Sequence, residues 1–69
     1  MNVKPIAKNI VKHMYKQGLS INAFSIKSGV SKACIVKVSS GTATNVRPKT
    51  AKAIADTLGV DFDELFIIQ

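Results

Sequence analysis

"GVSKACIVKVSSG", residues 29–41, carries the punctuation of one short helix. Gly29 permits the left-handed backbone of a tight turn, Ser31 supplies a hydroxyl oxygen for an orphan N–H of a first helical turn, and Gly41 closes the segment. The spacing predicts a helix from Lys32 to about Ser39 with Ile35 and Val38 turned toward a core. Its outward positions then hold Ala33, Cys34 and Val36, flanked by Lys32 and Lys37.

The neighbouring segments repeat the pattern of a start signal, an apolar face and a stop. Upstream, Ser20 suits the N-cap of a helix that runs to about Lys27, with Phe24 as its apolar anchor, and Gly18 ends the helix before it. That first helix is expected to begin near Pro5, whose fixed φ and missing N–H suit a first helical position. It places Ile6, Ala7, Ile10, Val11 and Met14 on one face, with Lys4, Lys8, Lys12 and Lys16 in a stripe beside them. Downstream, "TATNVR", residues 42–47, reads as a polar loop. A fourth helix starts near Pro48, carries Ala51, Ile54, Ala55 and Leu58 inward and stops at Gly59. Asp61 and Glu64 have capping-box spacing for a last turn or two that holds Leu65 and Phe66. β-Branched residues recur at helical spacing and not in two-residue alternation, so the expected fold is all-α, five short helices and no strand.

A chain of 69 residues accommodates one small core, so residues 1–69 are expected to form a single domain. The longest apolar run, Leu65–Ile68, is far shorter than the roughly 20 residues a membrane-spanning helix needs. Residues 1–16 lack the apolar block and cleavage site of a signal peptide, and the expected location is the cytoplasm. One cysteine cannot close an intrachain disulfide, and one cysteine with one histidine cannot complete a structural zinc site. No metal or other cofactor is implied. The net charge is +6, with all ten Lys and Arg between Lys4 and Lys52 and all four acids between Asp56 and Glu64. Such a basic surface favours an anionic partner, because lysines near phosphates release condensed counterions. An acidic protein partner or simple solubility would also fit the charge.

Two short helices joined through "KSGVS", residues 27–31, have the layout of a helix-turn-helix, whose second helix can enter a DNA major groove. From Leu19 to Phe66 the ordered set "LS", "GVS", "IVKV", Gly41, "TAKAIADTLGV" and "DELF" resembles the Cro and phage-repressor (lambda-repressor-like, XRE) helix-turn-helix family. The resemblance implies a five-helix, double-stranded-DNA-binding regulator of bacterial or phage origin, often dimeric. It places the base-reading positions on Lys32, Ala33, Cys34 and Lys37, and backbone-contacting positions on Thr42, Thr44, Asn45 and Arg47. The lysines can reach guanine O6 and N7 or a phosphate, and alanine can touch a thymine methyl. The family's usual phosphate-binding glutamine at the start of the second helix is replaced by Ile21.

That reading surface is short of hydrogen-bonding groups, which leaves two functions open. Lys32 and Lys37 fit DNA contact or solvated lysines, and motif and charge favour DNA. Ile21, Ala33, Cys34 and Val36 fit an exposed apolar patch for a partner such as a repressor protein, contacts to thymine methyls, or plain filler. Ile67 and Ile68 are surplus to the family's last core residues and would bury against a second copy, another protein or the domain's own core. Cys34 in a first helical turn could be redox-sensitive but reads more simply as a small side chain, and His13 could be pH-sensitive or part of a basic face but reads more simply as a polar surface residue. There is no paired-carboxylate site, no nucleophile and base set and no phosphate-cradling glycine loop, so an enzyme with a small-molecule substrate is not expected.

Overall fold

The computed structural model of the protein describes residues 2–69. Five helices, α1 (Ala7–Lys16), α2 (Ile21–Ser28), α3 (Lys32–Ser40), α4 (Pro48–Leu58) and α5 (Phe62–Leu65), lie between two three-residue strands, β1 (Val3–Pro5) and β2 (Phe66–Ile68). The helices follow their sequence signals closely. Ser20 Oγ accepts from Ala23 N at 3.1 Å, Ser31 Oγ accepts from Cys34 N at 3.3 Å, and Pro48 opens α4. Gly29 and Gly41 close α2 and α3 at φ +73° and +84°, backbone that a residue with a Cβ enters only with strain.

The core gathers one or more side chains from every element. Phe24 of α2, Ile35 and Val38 of α3, and Ala51, Ile54, Ala55 and Leu58 of α4 are buried as their spacing predicts, together with Ile10 and Met14 of α1 and Leu65 and Phe66 near the C-terminus. α1 ties down the ends of the later helices, because Asn9 Nδ2 donates to the Glu64 carbonyl at 2.8 Å and Gln17 Nε2 to the Leu58 carbonyl at 2.6 Å. Both carbonyls lie in last helical turns, where no intrahelical N–H is left to reach them.

The two strands correct the strand-free expectation. β1 and β2 pair antiparallel, Val3 opposite Ile68, Lys4 opposite Ile67 and Pro5 opposite Phe66. Asn2 and Gln69 exchange both backbone bonds, at 3.1 and 2.8 Å. By the alternation of antiparallel pairs, the N–H positions of Val3 and Pro5 then point away from β2. Pro5 is therefore the buried end of a strand and not the start of a helix, and the N–H it lacks is one β2 does not use. Lys4 consequently leaves the α1 lysine stripe, which keeps Lys8, Lys12 and Lys16. Ile67 and Ile68 are held as β2, their side chains about half exposed.

Two local readings also change at α5. Asp61 occupies the N-cap position but makes no side-chain capping bond, so the capping box does not form. Glu64 instead faces His13, with Oε1 3.4 Å from Nε2. His13 is thus a half-buried residue at the contact between α1 and α5 and not a member of an open basic face.

Candidate nucleic-acid interface

The α2–turn–α3 unit is fixed by serines. The Ser28 hydroxyl donates to the Phe24 carbonyl at 2.7 Å and accepts from Val30 N at 3.2 Å, while the Ser25 hydroxyl donates to the Val30 carbonyl at 2.6 Å. With Ser31 capping α3, the reversal through Gly29 has its backbone groups satisfied by side chains within five residues. The sequence signal for Ser25 and Ser28 is a pair of hydroxyls just ahead of the turn glycine, Gly29.

α3 presents its outer side to solvent. Lys32, Ala33, Val36 and Lys37 are exposed, and Ile35 and Val38 anchor the opposite side in the core. Cys34 departs from expectation: it is half-buried and packs against the core, so the helix offers fewer free apolar positions than its sequence implied. After Gly41 the chain folds back on the end of α3, where the Lys37 carbonyl accepts from Thr42 N and Ala43 N, each at 3.1 Å. The Thr42 hydroxyl lies 2.9 Å from that of Ser40.

The 42–47 loop and α3 enclose an open groove of about 450 Å³, whose walls include Ser31, Cys34, Lys37, Asn45, Arg47 and Thr50. Four of the eight expected DNA-contact residues, Cys34, Lys37, Asn45 and Arg47, meet along it. Lys32, Ala33, Thr42 and Thr44 lie outside its lining, all exposed. Lys37 and Arg47 bring two cations to the groove, and the capped start of α3 and the start of α4 border it. Such an arrangement suits anionic phosphate, since positive side chains and helix N-termini act in the same direction.

The expected partner-binding residues lie on α2, α3 and β2. Ile21 (37% exposed) and Val36 (45%) sit on the two helices of the unit, whereas Ile67 and Ile68 belong to β2, which packs on β1 and α5. A further isoleucine, Ile26 on α2, is 75% exposed and escaped the sequence reading, because an eight-residue helix gives too few turns to tell its outer face from its inner one.

A capped turn between two short helices, a solvent-facing second helix and a cationic groove beside it define a DNA-binding helix-turn-helix domain of the all-α, lambda-repressor-like kind. The comparisons with known proteins agree. The model of the Cro/C1-type helix-turn-helix DNA-binding domain family matches residues 9–69, and the chain belongs to that family. Over 51 residues it is 39% identical to the HTH-type transcriptional regulator SlrR of Bacillus subtilis (strain 168), a match that covers 74% of this chain and 34% of the relative. The chain thus aligns with about a third of that relative's length. No solved structure matches it.

Proposed function

We propose that the protein is a transcriptional regulator of a phage or mobile-element switch that binds operator DNA through α2 and α3, as a dimer on paired half-sites. The observation that carries this reading is the exposed outer side of α3 with Lys32 and Lys37, set beside a groove that also holds Arg47. Lys32 and Lys37 contact base edges or phosphates, Ala33 and Cys34 meet thymine methyls in the DNA major groove, and Thr42, Thr44, Asn45 and Arg47 hold the DNA backbone. Contacts of the second kind fix register without reading sequence. The transcriptional role of the Bacillus relative supports the same output.

A partner repressor is the alternative ligand, which would make the protein an antirepressor that masks or redirects the DNA contacts of another regulator. The exposed Ile21, Ile26 and Val36 favour it, because a surface that only reads DNA needs no such apolar side chains. A mobility shift with the gene's own upstream DNA separates the two, run with the protein alone and with the product of the adjacent regulatory gene. A shift by the protein alone is the expected result. A shift only in company, or loss of the neighbour's shift, would overturn the operator-binding reading in favour of the antirepressor.

A further inference from the structure

We propose that the N-terminal strand positions the DNA-facing loop, so that Val3, which is buried and cannot touch DNA, acts on DNA affinity through Asn45 and Val46. The proposal rests on the DNA-binding reading above and names the residues that hold its loop in place.

β1 is sandwiched. One edge pairs with β2, and the other edge meets the loop at Val46, in an isolated antiparallel bridge from Val3. Val46 N donates to the Val3 carbonyl at 2.8 Å, and Val3 N donates to Asn45 Oδ1 at 3.3 Å. Val46, the apolar residue in the middle of "TNVR", is buried beside Val3. The loop is therefore tied at its start to the end of α3, through the Lys37 carbonyl, and near its other end to β1.

The bond from Val3 also orients the Asn45 amide. A backbone N–H can only donate, so the amide oxygen must face Val3, and the choice between the two ends of the side chain is made by chemistry. Among the described residues the Asn45 Nδ2 has no hydrogen-bond partner, and Asn45 is exposed on the wall of the groove that also holds Lys37 and Arg47. The NH₂ end is left as a donor for a phosphate oxygen. Val3 is a positioning residue, and Asn45 is the group it positions.

The test compares Val3→Pro, Asn45→Ala and the double variant in the full chain. Val3→Pro removes the N–H that reaches Asn45 and spares the ladder to β2, which does not use it. The readouts are affinity for a mixed-sequence DNA duplex and fast backbone motion of residues 42–47 by NMR relaxation in the free protein. Each single variant is expected to lose about fivefold in affinity, the worth of one hydrogen bond, and to loosen the loop. The double variant should lose no more than Asn45→Ala alone, because the two changes break one connection. Leu58→Ala, a core change remote from the loop, should lower stability and leave the affinity of the folded protein unchanged. Wild-type affinity and an unchanged loop in Val3→Pro, or losses that add in the double variant, would overturn the proposal. Should Val3→Pro not fold, Asn45→Ala decides: faster exchange of the Val3 amide with a looser loop supports the tie, and unchanged protection with an unchanged loop overturns it. Absence of duplex binding by the wild type would overturn the DNA reading alone, with loop motion still deciding the tie.

Discussion

The helix-turn-helix and the terminal sheet are held by opposite kinds of bond. The helix-turn-helix is pinned by Ser20, which caps the start of α2, and by Ser25, Ser28 and Ser31 at the reversal, and their hydrogen bonds span no more than five residues. The sheet joins residues 2–5 to residues 66–69, and its link to the loop runs from Val3 to Asn45, 42 positions apart. Local bonds cost little chain entropy to form, whereas pairing the two ends requires the rest of the chain to be in place. The reading unit is thus framed by its own sequence, whereas the loop beside it is tied locally only at its start, to the Lys37 carbonyl, and at its other end to the distant β1.

The sharpest way to break this contrast is to empty the core beneath each region. Phe24→Ala and Phe66→Ala remove fully buried rings from α2 and β2, and each is expected to cost about 3–5 kcal/mol in urea denaturation. Equal costs would show that burial is indifferent to which kind of bond holds the backbone. Next in size is Gly29→Ala: nothing lies within 4 Å of the added Cβ, so the loss comes from the left-handed backbone alone, about 1–2 kcal/mol. Ser31→Ala frees the Cys34 N–H and should cost about 1 kcal/mol by the same assay. Asp61→Ala should be the mildest, below about 0.5 kcal/mol, because the side chain makes no capping bond. A thermal midpoint for Asp61→Ala as low as that of Ser31→Ala would show that α5 depends on its cap after all.

The same contrast explains how far the sequence could be read. Caps at Ser20 and Ser31, stops at Gly29 and Gly41, and the inward Ile35 and Val38 were legible because each signal acts within a turn or two of itself. The strands were not. Three residues are too few to show alternation, and Pro5 satisfies the φ of a helix start and of a strand end alike. Asp61 and Glu64 had the right spacing for a capping box, but spacing cannot reveal that Glu64 faces His13 on another helix. Of the candidate site, the outward lysines of α3 and the groove position of Arg47 follow from the motif. The half-burial of Cys34 and the bond that holds Asn45 depend on residues distant in the chain, as packing always does.

The central claim is that α3 and the cationic groove beside it engage the phosphates and base edges of a DNA duplex. The most direct measurement is the salt dependence of duplex binding, for the wild type and for a Lys32→Ala, Lys37→Ala double variant. The log of the affinity should fall steeply against the log of the salt concentration, by about 0.9 for each phosphate neutralised, and more gently in the double variant, by about 1 for each lysine that neutralises a phosphate. Binding that ignores salt, or a double variant that binds with wild-type affinity and slope, would contradict it.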